Sequence, residues 1–182
     1  MAMLPDVLAA GPVELRRWRP SDLEPLLEAV AASLPELRRW MAWAQTMPGQ
    51  AEQLEVLRAG EAAFDAGAEW NFLLFAPGDG TVVGGAGLHP RAGPESIEIG
   101  YWVRSDRTGR GFATAAAGAL VDAAFAHLGG VDRVEIRMDR ANRASAAVPP
   151  KLGFRLVGHE AREILAPGHT GEGLIWALDR AS

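Results

Sequence analysis

The chain contains no cysteine, and this absence excludes several kinds of chemistry. Without thiols there is no disulfide scaffold, no thiolate nucleophile and no zinc–thiolate site. The histidines show no spacing typical of metal ligands, so we expect no metal centre. We interpret each of them as an ordinary surface or turn residue; they are His89, His127, His159 and His169.

Long hydrophobic runs and an excess of basic charge are also missing. No stretch approaches the roughly 20 apolar residues that a membrane helix needs, and the first ten residues lack the basic region of a secretory signal. The formal net charge of -5 argues against a surface that binds nucleic acid through its phosphates. We therefore expect a cytoplasmic protein with no membrane partner and no direct nucleic-acid partner.

The composition that remains is typical of a globular protein. The chain has 182 residues, of which 48% are hydrophobic and 23% charged, so it is long enough for a sizeable core. Neither repeats nor an interdomain linker are visible. We predict a single domain over residues 1–182.

Hydrophobic periodicity predicts an α/β protein with several antiparallel hairpins and one strand–helix–strand crossover. Pro35 is expected to open a second helix, over 35–44, and Pro149-Pro150 to leave one helical turn at most after Ser145. The predicted strands are 13–18, 69–75, 81–88, 96–103, 132–138, 154–163 and 173–178. The other predicted helices begin near Ser21 and cover 51–66, 113–128 and, in part, 145–152.

The stretch from 96 to 128 carries the clearest functional signal. It reads as a strand, a Gly-rich loop and a helix. A helix start leaves backbone N–H groups without partners and favours negative charge. Gly109 and Gly111 allow a ligand to approach the backbone closely, and Arg104, Arg107 and Arg110 surround the same turn. A phosphate or pyrophosphate site is one interpretation; an ordinary connection with solvated arginines is the other.

Four motifs together resemble the GNAT N-acetyltransferases, in particular their RimJ/RimL-like branch. They are TGRGFAT at 108–114, EIGYWV at 98–103, Asn142-x-x-Ser145 and KLGF at 151–154. The resemblance runs from about Leu15 to Leu178. Gly111 and Ala113 match the acetyl-CoA loop of that family, whereas Thr108 stands where the family has Gln or Arg.

The resemblance implies the GNAT fold, a mixed and mostly antiparallel sheet with flanking helices and splayed central strands. Pantetheine would insert between strands 97–103 and 134–138, and the cosubstrate would be acetyl-CoA. The implied reaction is acetyl transfer to a primary amine, with a protein N-terminal α-amine as the first choice. A homodimer is a further expectation.

The resemblance also implies which residues contact acetyl-CoA. Backbone N–H groups of 108–114 would hold the pyrophosphate, and a free N–H near Trp102 or Val103 would bind the thioester oxygen. The expected cofactor-binding residues are Trp102, Val103, Arg104, Thr108, Gly109, Arg110, Gly111, Phe112, Ala113, Thr114, Asn142 and Ser145.

Two catalytic residues are proposed on the same basis. Ser145 would protonate the leaving thiolate, because the tyrosine that many family members use is missing and Tyr101 lies in another segment. The alternative is that Ser145 caps a short helix. Glu98 would accept a proton from the amine, directly or through water, and its alternative is a solvated or salt-bridged strand residue.

Six tryptophans are many for this length, and four of them, Trp18, Trp40, Trp43 and Trp70, fall where the family builds its acceptor pocket. We predict that Trp40, Trp43 and Trp70 bind the acceptor, with a plain hydrophobic core as the alternative. Two other functions stay open: acetylation of a small amine such as an aminoglycoside or polyamine, and acyl-CoA binding without turnover by a sensor.

Overall fold

A sheet of eight strands organises the computed structural model, which describes residues 4–78 and 80–181. The spatial order is β1-β2-β3-β4-β5-β6-β8-β7, and every neighbouring pair is antiparallel except β5 and β6. The strands are β1 Val7–Ala10, β2 Val13–Arg17, β3 Trp70–Phe75, β4 Val82–His89, β5 Ser96–Val103, β6 Arg133–Asp139, β7 Arg155–Ala161 and β8 Glu172–Asp179.

Helices cover both faces of the sheet, so each face has its own hydrophobic core. Helix α3 (Phe112–His127) packs on one face and helices α1 (Leu23–Trp40) and α2 (Gln50–Asp65) pack on the other. Helix α4 (Arg143–Ala146) is one turn long. In the part of the chain that the structure describes, no helix is long and apolar enough to cross a membrane.

Strands β5 and β6 separate halfway along their length. Their parallel pairing ends at Ile99 and Ile136, yet β5 continues to Val103 and β6 to Asp139. Beyond the last pair, β5 stays bonded to β4 and β6 stays bonded to β8. This confirms the predicted mixed sheet with splayed central strands.

The expected second helix at 35–44 is wrong, because α1 runs through Pro35 as one helix. Its buried stripe continues past the proline without interruption, from Ala29 and Val30 to Leu37. Pro35 lies on the exposed side of the helix. The carbonyl that it leaves without an intrahelical partner can therefore bond to water, which limits the cost of the proline.

The first strand of the sheet was missing from the sequence-based prediction. Val7–Ala10 forms an antiparallel hairpin with β2 through Gly11, which has a φ of 58°. The sequence-based prediction contains no strand in the first ten residues, although the Gly11-Pro12 pair is typical of a turn.

Helix α4 is the single turn expected before the prolines, and Pro149–Leu152 adds a 3₁₀ turn.

The close approach of β4 and β5 predicts a stability effect at Gly84. A Cβ built there would touch the main-chain oxygen of Trp102, and neither backbone can swing away. We expect Gly84→Ala to lower the free energy of unfolding by about 1–3 kcal/mol in a urea titration. Gly129→Ala is the control, since its Cβ would meet nothing within 4 Å. Equal effects of the two substitutions would contradict the close packing of β4 on β5.

Candidate active site

The loop between β5 and α3 presents free backbone donors to open space. Gly109 has a φ of 74°, and Gly111, the residue before the first turn of α3, has a φ of 79°. Among the residues that the structure describes, no side chain caps this helix start, and a Cβ at either glycine would meet no atom within 4 Å. The first N–H groups of α3 therefore face a space into which an anion fits.

Two arginines of this loop differ in whether their guanidinium groups are free to bind a ligand. Arg110 is exposed and forms no ion pair with any residue that the structure describes, so its guanidinium can reach a phosphate. Arg104 is bound to Glu28 of α1 at 3.1 Å and to Asp106 at 2.9 Å, and its side chain is 13% exposed. Arg104 thus ties the loop to α1, and the contact with the pyrophosphate that we expect for its side chain would have to compete with these two ion pairs.

Phe112 and Thr108 of the predicted loop have side chains that are already engaged within the protein. Phe112 is 8% exposed and packs in the core under α3, so only its N–H can reach a ligand. The Thr108 hydroxyl donates to the Ser105 carbonyl at 3.2 Å and stabilises the loop. Ala113 and Thr114 lie in the first turn of the helix, next to Phe112.

A cavity of about 860 Å³ opens on the α1–α2 side of the sheet and reaches into the gap between β5 and β6. It is lined by both separated strands, by α1 and α2, and by the segment that joins β7 to β8. Among the lining residues are Trp40, Trp43, Glu98, Trp102, Asn142 and Ser145. The structure therefore gathers six of the sequence-predicted residues around one space.

The backbone pattern of β5 indicates which N–H groups face the gap. The Arg104 N–H donates to the Val83 carbonyl at 2.8 Å. In an antiparallel pair, bonded residues alternate, so Trp102 directs its backbone groups toward β4. Tyr101 and Val103 direct theirs toward the gap. Of the two expected donors to the thioester oxygen, this favours Val103, while the Trp102 ring lines the cavity.

Ser145 is not a helix cap. The cap of α4 is Asn142, whose Oδ1 accepts a hydrogen bond from the Ser145 N–H at 3.1 Å. The Ser145 hydroxyl, inside the helix, donates to Tyr101 Oη at 3.3 Å, and Tyr101 Oη donates to the Ser145 carbonyl at 2.9 Å. Burial raises the pKa of Tyr101 to about 12, so its phenol stays protonated at neutral pH.

Sequence reasoning missed the role of this tyrosine, because it looked for a tyrosine on α4 itself. Tyr101 comes from β5 and reaches across the gap to α4. The signal was present in the alternation of β5. That alternation places Tyr101 at the separated end of the strand, on the face that packs against α3.

Glu98 faces the cavity as expected, but its carboxylate is already engaged. The residue is 7% exposed, and its two oxygens accept hydrogen bonds from Arg91 Nε at 3.1 Å and Nη2 at 2.9 Å. The salt-bridged alternative therefore describes the structure. Direct proton abstraction by Glu98 would have to break this bidentate pair.

Two of the three predicted acceptor tryptophans line the cavity. Trp43 is 50% exposed and meets Trp102 edge-on with ring centroids 6.2 Å apart. Trp40 donates through Nε1 to Glu36 at 3.0 Å. Trp70 does not line the cavity; it is 6% exposed and belongs to the core beneath α3. We correct its assignment, because the alternation of β3 turns its side chain to the opposite face of the sheet.

The segment between β7 and β8 is fastened to the end of α1 and covers part of the cavity. The Leu165 N–H donates to His169 Nδ1 at 3.2 Å, so His169 carries its proton on Nε2, which lies 2.9 Å from the Trp40 carbonyl. The Gly168 N–H donates to the Arg39 carbonyl at 2.8 Å. His169 is thus a structural residue rather than the free surface histidine expected from the sequence.

Comparison with known proteins identifies the class of protein to which this fold and site belong. The model of the acetyltransferase (GNAT) domain matches residues 13–155. The chain belongs to the GNAT family, and it is an acetyl-CoA-dependent N-acetyltransferase. The glycine bend before α3, which leaves room for a diphosphate, fits this cosubstrate.

Three proteins illustrate the similarity of this chain to known acetyltransferases. A protein of Bacillus subtilis with the assigned name ribosomal N-acetyltransferase YdaF is 29% identical over 154 residues, 78% of this chain and 77% of its own. RimJ of Mycobacterium smegmatis, in complex with a CoA disulfide, is 27% identical with a TM-score of 0.80, over 97% of this chain and 86% of its own. RimL, a ribosomal alpha-N-protein acetyltransferase in complex with coenzyme A, is 22% identical with a TM-score of 0.84, over 95% and 97%.

The bend at Gly109 and Gly111 allows a prediction about the affinity for CoA. Asp and Asn both tolerate positive φ better than most residues and have similar size, so Gly111→Asp and Gly111→Asn differ mainly in charge. A carboxylate a few ångströms from a diphosphate is strongly repelled. We expect the Asp variant to bind CoA at least about tenfold more weakly than the Asn variant by isothermal titration calorimetry. Equal affinities would place the diphosphate away from residue 111.

Proposed function

We propose that this chain transfers the acetyl group of acetyl-CoA to the α-amine at the N-terminus of a protein. The names of its relatives support this acceptor, since YdaF is named as a ribosomal N-acetyltransferase and RimL as a ribosomal alpha-N-protein acetyltransferase. The expected homodimer and cytoplasmic location stay predictions.

The observation that carries this proposal is the apolar mouth of the cavity. Three of the large hydrophobic side chains that line the cavity are exposed. These mouth residues are Trp43, Val56 and Leu165. An extended peptide offers apolar side chains and backbone directly behind its amine, and such a mouth suits it.

The charges around the cavity disfavour a small polycation. Among the described residues, three arginines line it beside the four carboxylates Glu52, Glu69, Glu98 and Asp139; they are Arg91, Arg137 and Arg162. Arg91 is paired directly with Glu98. A polyamine or an aminoglycoside carries several positive charges and needs an excess of carboxylates, whereas one N-terminal ammonium does not.

The residues would divide the work of the reaction among them. The N–H groups of 108–114 and Arg110 would hold the diphosphate, and the separated ends of β5 and β6 would receive pantetheine amides as additional hydrogen-bond partners. The Val103 N–H would stabilise the charge that develops on the thioester oxygen. Ser145 would protonate the leaving thiolate, with Tyr101 and Asn142 fixing its position.

The role of Ser145 can be separated from its contribution to the fold. We expect Ser145→Ala to lower kcat by about 100-fold, a typical effect of losing a general acid, with CoA affinity unchanged. Tyr101→Phe retains the serine hydroxyl and removes the phenol that accepts from it and donates to the Ser145 carbonyl, so its kcat should fall less. The rate of acetyl transfer is measured in an assay that detects the free thiol of the CoA product. A wild-type kcat in the Ser145→Ala variant would leave this hydroxyl without a catalytic role.

The acceptor class is tested with a matched panel of amines in the same thiol-release assay. The first acceptor is a peptide with a free N-terminus followed by apolar residues. The second is the same peptide with a blocked N-terminus and an added internal lysine. The third and fourth are spermidine and an aminoglycoside. We expect turnover of the free peptide alone. Turnover only of the small amines contradicts the proposal, and saturable CoA binding without turnover of any amine indicates a sensor.

A further inference from the structure

We infer that His89 is the base that takes a proton from the amine, an inference that rests on the proposed acetylation of an amine. His89 is the last residue of β4, and its side chain is 15% exposed toward the cavity. Its Nδ1 contacts Oε1 of Glu69, the residue directly before β3. A carboxylate in this position holds the proton on Nδ1 and leaves Nε2 as a free acceptor.

The free nitrogen of His89 points over two residues that have no side chain. A Cβ built at Gly87 would lie 3.2 Å from His89 Nε2, and one built at Gly100 would lie 3.3 Å from it. Within residues 4–78 and 80–181, Nε2 has no hydrogen-bond partner. Gly100 is the first residue of β5 beyond the last pair with β6. Nε2 therefore lies where the gap begins, beside the space expected for the acetyl group.

A second unpartnered polar group faces the same spot. The Asn71 side chain lines the cavity and makes no hydrogen bond with the part of the chain that the structure describes, although the residue is only 9% exposed. Its Oδ1 would lie 2.6 Å from a Cβ at Gly87, the same position that approaches His89 Nε2. An ammonium or a water molecule can donate to Asn71 Oδ1 while it donates to His89.

Among the described residues around the cavity, all other basic groups except Glu52, which belongs to α2, are engaged. Glu98 is opposite His89 in the β4–β5 register and is held by Arg91. Asp139 is held by Thr170 and the Ala141 N–H, and His169 uses both ring nitrogens. The charged or titratable groups that line the same cavity as His89 are Glu52, Glu69, Arg91, Glu98, Tyr101, Arg137, Asp139, Arg162 and His169.

The proton balance is complete with this assignment. The acceptor arrives as an ammonium, gives one proton to His89 Nε2, and that proton later leaves to water. The neutral nitrogen attacks the thioester carbonyl carbon, so that an N–C bond forms and the C–S bond breaks with its electron pair on sulfur. A second proton lost by the nitrogen balances the one that the thiolate takes up, and the products are an amide and free CoA.

The test compares pH profiles of kcat/KM for His89→Gln, Glu69→Gln and Glu98→Gln with the free-N-terminus peptide. We expect His89→Gln to reduce kcat/KM about 100-fold at pH 7, with CoA affinity unchanged by calorimetry. The kcat/KM of this variant should then rise tenfold for each unit of increasing pH until the pKa of the amine is reached, because only the neutral amine reacts. Glu69→Gln should show a smaller loss of the same kind.

The control is His159→Gln, since His159 is exposed on β7 and lies outside the cavity. It should retain the wild-type profile. If the wild-type enzyme turns over the peptide and His89→Gln retains its pH profile, the inference is wrong while the proposed function stands. If Glu98→Gln alone acquires the steep profile, Glu98 is the base. If no amine is acetylated by the wild-type enzyme, the proposed function itself fails.

A measurement that needs no turnover examines the dyad in the free protein. ¹⁵N NMR of histidine-labelled protein at pH 8 should show His89 with a protonated Nδ1 and an unprotonated Nε2. Glu69→Gln should shift this tautomer balance, whereas His159 should be unaffected. A proton on Nε2 in the wild-type protein would overturn the assignment.

Discussion

The loss of pairing between β5 and β6 beyond Ile99 and Ile136 is the constraint on which the site depends. Backbone groups in a sheet need partners, and the separated end of β5 obtains them on one side only, from β4. On the other side the strand leaves a gap that opens into the cavity. A ligand rich in amide groups can fill it as an additional strand would, which fits the elongated, amide-containing pantetheine arm of the cosubstrate.

The residues to which we assign roles in the reaction lie along this gap. The glycine bend and the start of α3 lie at its outer end, where the N–H groups and the helix dipole form the proposed diphosphate site. Tyr101 crosses it and fixes Ser145 on α4. His89 stands at its closed end with Nε2 directed over Gly100. The proposed acetyl donor site, acid and base are therefore arranged along one channel, with the apolar mouth on the proposed acceptor side.

The sequence predicted the parts of this arrangement that depend on local patterns. Alternation identified β5 with its observed bounds, and the glycine spacing identified the start of α3. The helix through Pro35 was not predictable from propensity, because the buried stripe of α1 compensates for a proline that faces solvent. Trp70 was misplaced for a similar reason: its face follows from the register of β3 in the sheet, and one residue of shift would reverse it.

Pairings between distant side chains were the least predictable part of the site. Glu98 was correctly placed on the cavity face, but its pairing with Arg91 depends on the turn that returns β4 to β5. The Glu69–His89 contact joins residues 20 positions apart, and nothing in the local sequence distinguishes His89 from a turn histidine. Such contacts arise only when strand register brings two side chains to neighbouring positions on one face.

The most direct test of the central claim is a crystal structure of the protein with acetyl-CoA. The account predicts the diphosphate at the N–H groups of residues 109–114, pantetheine between the separated ends of β5 and β6, and the thioester beside Gly100 and Ser145. A cosubstrate bound with β5 and β6 paired along their whole length, or with its diphosphate elsewhere, would contradict the account.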